Sequence, residues 1–285
     1  MSDIWLGLTG GKPNVDALLA AGEIDVDRLK AAGWMDEARL AAVRAQRPVL
    51  LHLDDGVIWP RSWRWADERA RLAGSCGTPW LSVHLDLGWT FLAYRWRGPQ
   101  PVPRALARRW ALRSLRRLQE TCEAFVSERP AVLVENMPRW VSSRPAYIAD
   151  PAFISAVVEE SGCGFLLDLA HARVAAHHQG EPVHDYLLRL PLERLVEVHV
   201  SGPRPEPPAD HPSAGGQPAD DLPAGGALDG RPLVDAHQPM LEEDYALLAW
   251  VLARRRPRAV TLEYSKDQAQ IVAQLARLRA FLEDA

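Results

Sequence analysis

Short apolar runs recur along the chain, and six of them stop at a residue able to bind a cation. Gly164-Phe165-Leu166-Leu167 stops at Asp168, and His171 follows three residues later. Val49-Leu50-Leu51 stops at His52, and Leu81-Ser82-Val83 stops at His84. The runs at 131–134, 195–198 and 259–262 stop at Glu135, His199 and Glu263. Runs of this kind mark strands buried on both faces, the habit of a parallel sheet. Residues 4–8 read as a further strand and 24–29 as another, on a shorter alternation. Between them the spacing turns helical over 14–22 with Asn14 as N-cap, then 35–45, 63–72, 105–126, 151–161, 241–254 and 268–282. Strand and helix alternate about eight times with no dividing linker, which predicts a single α/β domain over 1–285, a (β/α)8 barrel. Residues 203–231 are Pro, Gly, Ala and Asp with almost no apolar periodicity, so they read as a long flexible loop. Residues 91–103, rich in Trp, Tyr, Arg and Pro, read as a second loop at the same end.

The totals change this picture little. A length of 285 residues is ample for one large core, and 47% hydrophobic with 25% charged residues is ordinary for a globular chain. The formal charge of −4 provides no global field for nucleic acid. Cys76, Cys122 and Cys163 share no close spacing, which points to reduced thiols in a cytoplasmic enzyme. The N-terminus lacks the basic and apolar regions of a secretion signal, and no apolar run reaches the roughly 18 to 20 residues that span a bilayer. The helix at 105–126 carries Arg108, Arg109, Arg113, Arg116 and Arg117. Such a charge run is ordinarily a solvated face, with a dock for an acidic partner as the sharper alternative.

Chemistry enters through the strand ends. In a parallel barrel all C-terminal strand ends meet at one mouth. There they bring His52, His84, Glu135, Asp168, His171, His199 and Glu263, and the loop Val234-Asp235-Ala236-His237 adds Asp235 and His237. Any one of these is ordinarily a hydrogen-bonded core group. The set is different, because four carboxylates in one pocket repel and take up protons unless cations join them. Nine donors exceed the four to six that one Zn or Fe takes, so two or three metals follow, with Glu135 a bridge. Asp86, Trp89 and Asn136 lie close behind strand ends and are candidates to touch substrate. His177, His178, His184 and His211 fit no strand end and read as surface or supporting residues.

The order Glu, Asp-x-x-His, His, Asp-x-His, Glu resembles the endonuclease IV and xylose isomerase-like barrel superfamily. The wording around it looks closer to the DUF692 group, the multinuclear non-heme iron-dependent oxidative enzymes that include the methanobactin-type oxidase. The resembling pieces are Ser82-Val83-His84-Leu85, Leu133-Val134-Glu135-Asn136, Cys163 to Asp168, Val198-His199-Val200-Ser201-Gly202, Val234 to His237 and Thr261-Leu262-Glu263. That group usually has an acidic residue at 83, Asn at 171, and His at 179 and 203, where this chain has Val83, His171, Gln179 and Pro203.

The resemblance implies a metal-binding oxidoreductase with two or three Fe ions (Fe2+/Fe3+), using O2 to modify a Cys- or carboxylate-bearing substrate. The substrate is a ribosomally made precursor peptide in natural product biosynthesis, or a small molecule, and a partner protein holds the leader. Glu135 and Asp168 are then the catalytic carboxylates. Two other readings bind Zn or Mn: a trinuclear zinc phosphodiesterase like endonuclease IV, and a metal-dependent sugar isomerase or epimerase. The phosphodiesterase needs Lys and Arg around the mouth, which the net charge does not supply. A non-enzymatic partner-binding barrel leaves so complete a donor set unexplained.

Overall fold

Eight strands pair in parallel and close on themselves. They are β1 (Trp5–Thr9), β2 (Arg28–Ala32), β3 (Val49–Gly56), β4 (Leu81–His84), β5 (Val132–Glu135), β6 (Gly164–Asp168) and β7 (Leu195–Val200). The antiparallel pair β8 (Gly202–Pro205) and β9 (Leu233–Gln238) stands apart, and β10 (Ala259–Leu262) closes the barrel between β7 and β1. This computed structural model describes residues 3–87, 102–138, 145–206 and 231–283. The fold is a (β/α)8 barrel.

Among the described residues, helices follow the barrel strands in the chain and cover the outside. Pro13–Ala21, Glu37–Gln46, Ala66–Cys76, Arg104–Cys122, Pro151–Ser161, Leu169–Gln179, Glu242–Leu252 and Gln268–Glu283 carry that layer. Their apolar faces meet the outward faces of the strands in one continuous core, from Ile4 and Leu6 to Leu278 and Leu282. Inside the barrel a smaller cluster plugs the end away from the mouth. Leu50, Trp80, Leu133, Leu166, Val196 and Ala259 form it, and Trp5 stacks on Trp80 at 5.5 Å between ring centroids. The interior is therefore filled below, and the buried carboxylates and imidazoles gather above it.

Register sets the height of those polar groups. His84 lies level with Glu135, and Asp168 lies level with His199. A parallel barrel whose strand ends align this way presents their last side chains to one small volume.

Several sequence expectations shift. The second strand is Arg28–Ala32, not 24–29; Ile24 and Val26 are buried in the approach to it. The first helix starts at Pro13 with Lys12 as N-cap, and the Asn14 amide instead donates to the Ser265 and Lys266 carbonyls. β3 runs past His52 to Gly56. A 3-10 turn, Ser62–Trp65, precedes the helix expected at 63. The stretch 203–231 is not wholly loop, since β8 takes 202–205 and pairs with β9, which holds Asp235 and His237 on a strand. Residues 207–230 lie outside the described residues, as do 88–101 with Trp89, and His211.

The arginine helix follows its ordinary reading. Arg104 pairs with Asp150, Arg108 with Glu160, and Arg117 with Asp67 at 2.9 Å, while Arg113 lies over the Trp63 ring. The three cysteines are buried and unbridged, and burial pushes the Cys122 and Cys163 thiols up to about 12, so they act as small hydrophobes. Among the described residues no helix is long and apolar enough to cross a membrane.

Candidate metal centre

All nine predicted donors reach the mouth, and they fall into three adjoining groups. The first is His52, His84 and one oxygen of Glu135. His52 Nε2 stands 2.8 Å from His84 Nε2, and both stand 3.5 Å from Glu135 Oε2. Metal bonds of about 2.0–2.2 Å put neighbouring donors of one ion roughly 3 to 3.5 Å apart. The triangle has the edges of a coordination shell. Asp54, which the sequence reading missed, adds a carboxylate 3.6 Å from His52 Nε2.

The second group is Glu135, Asp168 and His199, all fully buried. His199 Nε2 is held 3.1 Å from Glu197 Oε1, so it carries the proton and Nδ1 is left to face the pocket. Glu197 was also missed. It sits inside β7, where Trp80 Nε1 and Thr261 Oγ1 donate to its two oxygens, each at 2.8 Å. The Thr261 hydroxyl needs Gly7 opposite, because a Cβ there would stand 2.5 Å from Thr261 Oγ1. Glu263 completes this wall, with Oε1 3.1 Å from His199 Nδ1.

The third group is His171, Asp235 and His237. Asp235 Oδ2 lies 3.3 Å from His171 Nε2 and 3.4 Å from His237 Nδ1. His171 Nδ1 lies 2.8 Å from the Asn136 carbonyl, which can only accept, so the proton sits there and Nε2 points to Asp235. His237 has φ +44, the one non-glycine residue with positive φ among those described, and strain of that kind collects at functional sites.

The donor set fits resident cations on an independent ground. Glu135 Oε2, Asp168 Oδ2 and Asp235 Oδ1 are buried with no hydrogen-bond partner. A buried polar atom left unpaired costs about 1–3 kcal/mol, more when charged. One such oxygen lies in each group or on its border. Every donor is an imidazole nitrogen or a carboxylate oxygen, which suits iron, manganese or zinc.

One cation is built in. Lys30, missed because β2 was misplaced, is buried with its ammonium on Glu263 Oε1 and 3.3 Å from His199 Nδ1. Burial works against its charge, but Glu263, Glu135 and Glu197 outweigh that and raise its pKa. The carboxylates and imidazoles divide in the same way. Burial pushes Glu135 up, yet His84, His171, His52 and His199 hold it well below the usual carboxylate range. Burial and the neighbouring Glu263, Glu135 and Asp235 raise Asp168 to about 6 against the pull of His171. Burial and Lys30 oppose charge on His199, but Glu263 and Glu197 carry it to about 10. Burial likewise opposes charge on His237, which Asp235 and Glu263 raise to about 9.

These directions predict how metal binding responds to pH. Without metal, His199 and His237 hold their ring protons through neutrality, and an ion must displace them. The affinity of each ion held by one of these rings is expected to fall about tenfold per unit drop in pH between 8 and 6, with one proton released per ring. Calorimetry in buffers of different ionisation enthalpy counts those protons. Affinities flat across that range would mean the two rings do not ligate.

The three candidates for substrate contact fare differently. Asp86 is buried, and its Oδ1 accepts from the Leu87 N–H at 2.7 Å. Both ends of the Asn136 amide engage the Asp168 backbone, at 2.9 and 3.0 Å, so Asn136 locks β5 to β6 at the height of the site. Trp89 lies outside the described residues. Of the histidines away from strand ends, His177 and His178 sit on the helix Leu169–Gln179, where His178 Nε2 meets the Leu233 carbonyl at 2.9 Å. His184 packs on Trp250.

A solved D-tagatose 3-epimerase-like protein superposes with a TM-score of 0.63 over 98% of this chain and 97% of its own, at 11% identity. A D-psicose 3-epimerase gives 0.59 over 98% of both, also at 11% identity. At such identity the likeness speaks for the barrel alone. Among curated relatives, a UPF0276 protein of Paraburkholderia phytofirmans is 36% identical over 89 residues, 30% of this chain and 29% of that protein. Another, from Anaeromyxobacter sp. (strain Fw109-5), is 29% identical over 166 residues, 56% of each. The chain thus spans about half or less of the length of these relatives. The profile of the family described as "RiPP precursor modification enzyme MbnB/TglH/ChrH" matches residues 22–283, a stretch that takes in β2 through β10 and every donor named above. With barrel, donors and profile in agreement, the chain belongs to the MbnB/TglH/ChrH family of RiPP precursor modification enzymes.

Proposed function

We propose that the protein is a multinuclear iron-dependent oxidase that uses O2 to modify a Cys- or carboxylate-bearing residue of a ribosomally made precursor peptide, with a partner protein holding the leader. The observation that carries the reading is the triplet of orphaned carboxylate oxygens, Glu135 Oε2, Asp168 Oδ2 and Asp235 Oδ1, set among imidazoles in a mouth without thiolate donors. His52, His84 and Glu135 would hold one ion, with Asp54 in reach. Glu135, Asp168 and His199 would hold a second, beside Glu263, and His171, Asp235 and His237 a third. Bound iron supplies the one-electron steps that O2 chemistry requires.

The chain's own residues do the rest. Glu197 keeps the His199 proton on Nε2, and the Asn136 carbonyl keeps the His171 proton on Nδ1, so each ring offers its other nitrogen inward. Trp80 and the apolar layer beneath exclude water from below. A single metal polarising a sugar carbonyl would use one group and leave the other two without a purpose.

Elemental analysis of protein purified without oxygen tests the reading. Two or three iron ions per chain and absorption from the near-ultraviolet into the visible are expected. Stoichiometric zinc alone would sink the oxidase reading in favour of phosphodiester hydrolysis.

A further inference from the structure

Among the described residues Lys30 is the one buried lysine. Thr9 of β1 and Leu50 of β3 flank it in register, so its base belongs to the closed barrel. Its Nζ holds Glu263 Oε1 and stands 3.3 Å from His199 Nδ1. The other oxygen of Glu263, Oε2, lies 3.1 Å from His237 Nε2. Lys30 thus sits among the donors without being one, because an ammonium has three N–H groups and no lone pair.

Distance sets the effect of such a charge. An ion bonded to His199 Nδ1 at about 2.1 Å would stand no farther than about 5.4 Å from Nζ. At that range inside a protein, two unit charges repel strongly enough to shift an equilibrium well over tenfold. The side chains of Lys30 and Glu263 are 10% and 8% exposed, so salt screens them little. The repulsion grows with the charge of the ion, and a trivalent ion is opposed more than a divalent one. The ligands work the other way. Glu135, Asp168, Glu197 and Glu263 all lie in or beside the second group and favour the higher charge. Lys30 is the buried lysine that opposes them, and its field reaches the first group too, where burial and Lys30 together hold His52 in the neutral form that binds ions.

We propose that Lys30 is a fixed charge that poises the ion held by His199 in its divalent state. Lys30 acts through space and through Glu263, not as a ligand. The proposal rests on the reading that the second group holds an ion, and it deepens that reading by assigning the ion's resting valence. For iron this is the ferrous form, the one able to pass an electron to O2.

Two measurements on the full chain test it. In iron-loaded protein, Lys30→Met should lower the potential of one Fe3+/Fe2+ couple by about 60 to 120 mV, a ten- to hundredfold shift toward the trivalent ion at about 59 mV per tenfold. In protein freed of iron, Ga3+ and Zn2+, which keep their valence, compete for the centre. There Lys30→Met should favour Ga3+ over Zn2+ by about the same ten- to hundredfold. Lys30→Arg keeps the charge and should match wild type in both. Thermal unfolding is followed alongside, because removing one partner of a buried ion pair destabilises the fold. If Lys30→Met does not fold, Lys30→Gln keeps a hydrogen-bond donor without the charge and should show the same shifts. A folded, uncharged variant with an unchanged potential and an unchanged Ga3+/Zn2+ ratio overturns the proposal and leaves Lys30 as a brace for Glu263. Wild-type protein that takes up zinc alone sinks the iron reading, while the Ga3+/Zn2+ ratio still decides the role of Lys30.

Discussion

Glu135→Ala is expected to abolish turnover and to strip more than one metal ion from the chain. The carboxylate faces both sides of the centre. Its Oε2 lies 3.5 Å from His52 Nε2 and from His84 Nε2, and 3.9 Å from His199 Nδ1, while Oε1 lies 3.2 Å from His171 Nδ1. No other described side chain touches so many donors of different groups. Oε2 lacks a hydrogen-bond partner, so its place is explained by cations on either side of it. Four imidazoles hold the carboxyl deprotonated against its burial. Loss of a residue that only supports a ligand costs about 10- to 100-fold in metal affinity, and loss of a bridging donor should exceed that for two ions at once. Metal content per chain, measured beside a thermal unfolding curve to confirm the fold, gives the answer. A variant that keeps its full load would show that Glu135 bridges nothing.

The barrel and five of the nine candidate donors could be read from the chain by one rule. An apolar run buried on both faces must stop where water or an ion begins, so the residue at its end is conspicuous. His84, Glu135, Asp168, His199 and Glu263 all stand at such ends. What escaped breaks that rule. Lys30 belongs to Arg28-Leu29-Lys30-Ala31-Ala32, a strand with two cations in five residues, which reads as surface until its neighbours bury it. Glu197 interrupts an apolar run and looks outward-facing by alternation, whereas inside a barrel that face is the core. Asp54 comes after His52, where β3 had been expected to stop. The β8–β9 pair joins segments separated by more than two dozen residues, with Pro203 and Pro205 in one strand, so no local pattern announces it. The two strands pair only with each other, apart from the barrel, so each finds its partner far along the chain and not in the eightfold pattern.

His171→Asn tests whether the third group is a site of its own. His171 stands near the start of the helix that Asp168 caps, and Asp168 Oδ1 accepts the His171 backbone N–H at 2.7 Å. That cap uses one Asp168 oxygen and leaves Oδ2 without a partner, so on the proposed reading Asp168 and His171 would serve different ions although three residues separate them. The ring's Nδ1 is committed to the Asn136 carbonyl, and Nε2 faces Asp235. An imidazole binds a first-row metal far better than the neutral amide of Asn does. The cap is a backbone contact and survives the substitution. The variant is therefore expected to release about one ion per chain and to keep the ions at Glu135 and Asp168, whose other donors are untouched. Stoichiometry shows the loss, and anomalous scattering at the metal edge shows which position has emptied. If fully loaded wild-type protein has no anomalous peak within bonding distance of the His171 ring, His171 only supports Asp235 and Glu135 through hydrogen bonds, and the centre holds two metals.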